Sequence, residues 1–264
     1  MDLLHPLLAV LCGALVGFTL GLIGGGGSIM ATPLLLYVVG LQPHVAIGTG
    51  ALAVSVNAFA NFGGNARSGN VRWRCAIIFS VVGIAGAALG SLLGKAVDGK
   101  QLLFLFAILM IVVGVLMLRR NDKAIQAAGA ISPVSTKNAC QLWSPKTRNP
   151  LPVASAALGV GALSGFFGIG GGFLIVPGLL FSTGMPMICA IGSSLLAVGS
   201  FGLTTAISYG TSGLINWPVA AEYLAGGLVG GLVGMALATS LALRKAALNR
   251  VFASLKRSLR SRAY

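Results

Sequence analysis

Two glycine clusters, and the polar residues that follow each, are the places where this chain could do chemistry. The first is Gly24, Gly25, Gly26 and Gly27, followed by Ser28; the second is Gly168, Gly170, Gly171 and Gly172, with Ile169 inside it. Each interrupts an apolar run. A helix that stops and restarts at such a point offers unbonded N–H groups and the positive end of the new helix's dipole, an arrangement that suits an anion. Glycine carries no Cβ, so a solute can approach the backbone closely. Ser28 is expected to cap the restarted helix with its hydroxyl. Thr49, Asn57 and Asn61 after the first cluster, and Ser193 and Ser194 after the second, are the hydroxyls and amides that could complete the site. Hydrogen bonding between packed helices is the competing role for each of them.

No catalytic constellation accompanies these residues. There is no HExxH, Walker or CxxC pattern and no Ser/His/Asp set at a recognisable spacing, so no enzyme activity, metal or cofactor is expected. Cys12, Cys75, Cys140 and Cys189 read as isolated small residues. Glu222 is the one acid within an apolar stretch, suited either to proton coupling or to an interfacial position. His44 sits beside Pro43 at a turn, where a residue without a role is the competing reading.

The two clusters belong to a repeat. Gly17-x-x-x-Gly21-x-x-Gly24 and its continuation to Pro33 recur as Gly161-x-x-x-Gly165-x-x-Gly168 and its continuation to Pro177, 144 residues later. The register holds without a gap to Trp73 and Trp217, and Gly83, Gly86 and Gly90 recur as Gly227, Gly230 and Gly234. A packing interface needs glycine about every fourth residue. That explains the later set, but not four glycines in a row. Corresponding breaks in two halves point to a transporter's binding site.

The elements that must position the clusters are apolar helices. Hydrophobic residues make up 56% of the chain and charged residues 8%, where a soluble domain carries about 25% charged. Apolar stretches of spanning length recur, which makes the chain an all-α polytopic membrane protein. The net charge of +14 does not indicate nucleic acid, because Lys and Arg are confined to connections and the tail. The N-terminus lacks the basic segment of a signal peptide and reads as a retained first helix.

Residues 1–118 form the first transmembrane repeat, 119–150 a basic cytoplasmic linker with Pro133, Pro145 and Pro150, 151–243 the second repeat, and 244–264 a basic amphipathic or disordered cytoplasmic tail. Expected helices cover about 3–23, 45–65, 75–93, 102–118, 151–167, 188–209 and 219–243. Half-helices cover about 29–39 and 173–183. The aliphatic helix at 102–118 is expected to face lipid. The second half has no counterpart to it, ending instead in seven basic residues between Arg244 and Arg262.

Charge sets the topology. If each break is a hairpin that enters and leaves on one side, Arg67, Arg72 and Arg74, the linker and the tail all fall inside, and only Lys95 and Lys100 oppose the rule. If each break is a kink in one long crossing, linker and tail fall on opposite sides. The hairpin is therefore expected. It makes an odd number of crossings per half and hence inverted repeats, with the N-terminus outside and the C-terminus cytoplasmic.

The duplicated G-x-x-x-G-x-x-G-x-G-G-x-x-x-x-x-P pattern, the Ala-x-Gly-Thr/Ser motif at Thr49 and Ser193 and the Gly-x-x-x-Trp that follows resemble the sulfite exporter TauE/SafE family, also called toluene sulfonate uptake permeases. The resemblance covers about residues 3–118 and 151–253. It implies a bacterial inner-membrane permease for sulfite, sulfonates or other organic anions, and it carries the family pattern onto Gly24 to Gly27, Pro33, Gly48, Thr49, Gly168, Gly170, Gly171, Pro177, Gly192 and Ser193. The long linker and the basic segment in place of a last apolar helix depart from it. The expected function is secondary transport of a small sulfur-containing or organic anion by alternating access in a lipid bilayer, with a proton or sodium ion as candidate coupling ion and the oligomeric state open. An anion channel, or a non-transporting scaffold working through the basic tail, are the alternatives.

Overall fold

The computed structural model describes residues 4–23, 27–69, 71–118, 151–168, 170–183 and 187–237. The linker, the tail and Gly24, Gly25 and Gly26 lie outside them. Nine helices are described: α1 (Leu4–Ile23), α2 (Ser28–Tyr37), α3 (Pro43–Arg67), α4 (Trp73–Ala96), α5 (Gly99–Leu118), α6 (Leu151–Phe167), α7 (Gly172–Thr183), α8 (Met187–Gly210) and α9 (Trp217–Leu237). No strand occurs among the described residues. Within α1, α3, α4, α8 and α9 lie five stretches long and apolar enough to cross a membrane. The chain is thus a multi-pass helical membrane protein.

The helix ends follow from local sequence. Pro43 opens α3, where its missing N–H has no partner to lose. Gly69 and Gly213, equivalent in the repeat, both turn the chain with φ of +71°, a conformation costly for any residue with a Cβ. Ser28 departs from expectation. The N-cap of α2 is Gly27, which makes no side-chain cap, and Ser28 is the first helical residue. Gly27 already has helical backbone angles, φ −67° and ψ −24°, so the serine follows the cap instead of forming it.

At both breaks the chain folds back. A Cβ at Gly27 would lie 2.7 Å from Thr19 Oγ1, and one at Gly171 would lie 2.6 Å from Ser164 Oγ. In a continuous helix residues seven or eight apart are about 10–12 Å distant along the axis, so each break is a hairpin and not a kink. α2 has 10 residues and α7 has 12, so they extend only about 15–18 Å, short of a hydrocarbon core.

Glycine stripes set the packing. Gly13, Gly17 and Gly21 of α1 lie against the backbone of Tyr223, Gly227 and Gly231 of α9, in parallel. Gly86, Gly90 and Gly94 of α4 lie in the same way against Leu158, Ala162 and Phe166 of α6. Each pairing joins the first helix of one half to the glycine-rich helix of the other, and the two pairings match under the 144-residue register. A Cβ at any of these α1 or α4 glycines would collide with backbone.

α3 and α8 cross antiparallel between these pairs. Gly48 meets Leu214, Ser55 meets Gly199 and Gly202, and Phe59 meets Gly199. The core gathers here around Val54, Leu195, Val198 and Phe201. Leu7, Leu11 and Leu15 of α1, Phe104, Ile108 and Ile111 of α5, and Val229, Leu232 and Val233 of α9 are exposed on the outside, which suits lipid. α5 is outward-facing as expected. Trp73 and Trp217, at the starts of α4 and α9, are exposed, in keeping with an interfacial belt. Cys189 is disulfide-bonded, a correction to the expectation of isolated thiols; Cys12 and Cys75 are free.

Candidate functional site

The second glycine break reaches the centre of the molecule. Gly168, Gly170 and Gly171 take φ of +65°, +66° and +67°, and three left-handed residues within four positions are practical only for glycine. Gly168 abuts Ile47, while a Cβ on Gly170 would lie 3.0 Å from Val54 and 3.6 Å from Val198. Val54 and Val198 are repeat-equivalent residues beside the α3–α8 crossing, so α7 starts, at Gly172, next to that crossing. Leu174 and Ile175 donate their N–H groups to the Gly171 carbonyl at 2.9 Å, which leaves the preceding turn of α7 as its dipolar end.

The first break is described only from Gly27, which is buried with Ser28. Gly24, Gly25 and Gly26 lie outside the described residues.

The remaining candidates separate into two kinds of position. Thr49 and Ser193 are fully buried, and each hydroxyl oxygen accepts from a backbone N–H of the other half. Asn216 donates to Thr49 Oγ1 at 3.2 Å, and Arg72 donates to Ser193 Oγ at 2.9 Å. These two bonds are repeat-equivalent. Each tethers the residue before Trp217 or Trp73, and what remains for a ligand is the hydroxyl proton. The two lie six residues from the crossing in opposite directions, about 9 Å along their helices. Ser194 donates to the Ile191 carbonyl of its own helix at 2.8 Å. Asn57 and Asn61 lie elsewhere, on the face of α3 that covers Gly227 and Gly231 of α9. Asn61 Nδ2 donates to the Asn57 carbonyl at 2.9 Å, while both polar atoms of the Asn57 amide are buried without a partner.

Two residues missing from the sequence reading stand at the breaks. Ser164 is fully buried, its Oγ has no partner, and it packs on Gly171. Its signal was a serine in α6 where the repeat places Leu20. Thr32 of α2 is 3% exposed with an unpartnered Oγ1. It borders a cavity of about 10 Å³ with Ile47, Phe106 and Phe167, room for about one water.

Every buried polar side chain among the described residues is a hydroxyl or an amide. Glu222 and His44 are only partly buried, and the His44 ring lies 6.4 Å from that of Tyr209. No cluster of His, Cys, Asp or Glu able to hold a metal occurs among the described residues. The polar groups available beside the crossing are therefore a helix end and neutral hydroxyls and amides.

The sequence model of the family described as sulfite exporter TauE/SafE matches residues 9–255. A probable membrane transporter protein of Xylella fastidiosa (strain Temecula1) is 54% identical over 91% of this chain and 87% of its own length. The probable membrane transporter protein YunE of Bacillus subtilis is 27% identical over 82% of both chains. Another from Methanocaldococcus jannaschii is 27% identical over 80% of this chain and 74% of its own. No solved structure matches the chain. With the glycine breaks and their repeat in place, a family match over nearly the whole length and so close a relative mean that this chain belongs to the sulfite exporter TauE/SafE family.

Proposed function

We propose that this membrane transporter moves a small sulfur-containing or organic anion, such as sulfite or a sulfonate, by alternating access around the N-termini of its two half-helices. One observation carries the reading. The buried start of α7 is held beside the α3–α8 crossing by three left-handed glycines, with the unpartnered Ser164 hydroxyl against Gly171. The N–H groups and dipole there suit an oxyanion. Ser28 and Gly27 supply the corresponding element of the first half. Gly24, Gly25, Gly26 and Gly172 remain part of the proposed binding set, together with the hydroxyls of Thr49, Ser193 and Ser194.

Inverted repeats are the proposed symmetry. They are supported by the antiparallel contact of the equivalent residues Ser55 and Gly199, since an axis through that point would run across both helices. The proposed setting is a bacterial inner membrane, with the N-terminus outside and the C-terminus cytoplasmic. The basic Arg67 to Arg74 turn and the first turns of α8, which the chain reaches from the basic linker through the α6–α7 hairpin, share one end of the molecule, in keeping with positive charge inside.

The test is a ligand-stabilisation screen. Full-length protein in detergent is heated with sulfite, thiosulfate, sulfate, sulfoacetate, taurine, acetate and lactate. A ligand at a hundred times its dissociation constant stabilises by about 2.7 kcal/mol. The expected result is a melting shift confined to one anion class and lost in G170A. Indifference to every anion overturns the anion reading.

A further inference from the structure

Asn57 is 1% exposed, and neither Oδ1 nor Nδ2 of its amide has a hydrogen-bond partner. Leaving both ends of a buried amide unsatisfied is costly. The repeat provides an internal control for what the fold itself requires at this place. The equivalent residue is Phe201, which lies over Gly83 as Asn57 lies over Gly227 and stacks on Phe79 with ring centroids 6.1 Å apart. An aromatic ring fills that lobe without any polar atom, so helix packing alone does not call for an amide.

The difference continues along the helix. Asn61 and Asn65 follow at one-turn spacing, with Asn65 Nδ2 donating to the Asn61 carbonyl at 3.1 Å. Their counterparts are Thr205 and Tyr209. α3 therefore carries a row of amides from just past the crossing to its Arg67 end, and α8 carries a mostly aromatic row. Arg67 in the last turn of α3 and Arg72 just beyond it make that end basic, which favours an anion over a cation there.

We propose that the two repeat-related lobes are unequal: the Asn57 amide is the polar subsite for a small oxyanion, entered along Asn61 and Asn65, and the lobe filled by Phe201 is closed. This rests on the anion reading of the half-helices and adds a side-chain donor that only one half supplies.

The test is N57L in the full-length protein, because leucine matches asparagine in shape and lacks its polar atoms. Melting is measured without ligand and with sulfite, sulfate and thiosulfate, and anion flux is measured in proteoliposomes. Without ligand, N57L is expected to melt about 2–4 °C higher than wild type, the shift of a modest relief of burial cost in a chain this long. With anion it is expected to lose the melting shift and at least tenfold of the flux. N57S, which keeps one donor, should retain part of both. An N57L protein that melts lower or fails to fold makes the amide structural and overturns the proposal. One that keeps the anion shift also overturns it. A wild type indifferent to all three anions overturns the anion reading and this subsite with it, whereas an intact wild-type response that N57L shares sinks the assignment to Asn57 alone.

Discussion

Ser55 Oγ donates to the Gly199 carbonyl at 2.8 Å, and the two residues occupy the same position in the two halves. Each half thus touches the other through its own equivalent point. A buried neutral hydrogen bond contributes about 1 kcal/mol. S55A should lower the melting temperature by about 2–4 °C. G199V should lower it further, because a Cβ there meets the Phe59 ring at 2.9 Å. Thermal denaturation of both variants in detergent checks this, and equal melting for S55A and wild type would remove the bond from the account.

The paired tethers Thr49–Asn216 and Ser193–Arg72 should behave alike. T49V and S193A each leave a partly buried backbone N–H without its acceptor, at a cost of about 1–3 kcal/mol. Similar losses of melting temperature are expected. A loss confined to one of the two would show that the repeat relation does not extend to these bonds.

Glycines in this chain divide into those that make room and those that do not. A Cβ at Gly90 would lie 2.9 Å from the Phe166 nitrogen, whereas Gly63 and Gly159 have nothing within 4 Å. G63A and G159A should therefore stabilise by about 0.4–1 kcal/mol through the unfolded chain, while G90A destabilises. Melting temperatures of the three variants, measured side by side, decide it.

Gly170 joins strain to proximity. An alanine there must take φ near +66°, at roughly 1–2 kcal/mol, and its Cβ presses on Val54. G170A should still insert but lose flux severalfold more than G63A. Full flux in an inserted, folded G170A would separate the break from transport.

Sidedness is testable by cysteine labelling. S68C, in the basic turn, should react with an impermeant maleimide only after the membrane is opened, and S212C should react in intact cells. The reverse pattern would invert the proposed orientation.

The elements were legible because glycine and proline mark the ends of apolar runs. Leu151–Phe167 was anticipated to the residue, and most other ends fell within two or three positions. The hairpin form of the break was legible from charge alone. The pairing of α1 with α9 and of α4 with α6 was not. A stripe such as Gly83, Gly86 and Gly90 says that a helix packs closely, not which helix it meets. The partners of Thr49 and Ser193 were hidden for a similar reason, since they are backbone N–H groups of Asn216 and Arg72, which no side-chain pattern announces. Ser28 misled because serine before an apolar run reads as a cap, whereas Gly27 already has helical angles and takes the cap position.

The exchange of glycine stripes has a consequence for how such a chain is made and how it could have arisen. α1 leaves the ribosome long before α9, so its glycine face must wait, unpaired, through most of synthesis. Neither half contains the partner for the glycine face of its own first helix, so the halves expressed as separate chains should reassemble together or not persist. A gene encoding one such unit would have produced a protein complete only as two interlocked copies, and tandem duplication would then have joined a pair that already existed.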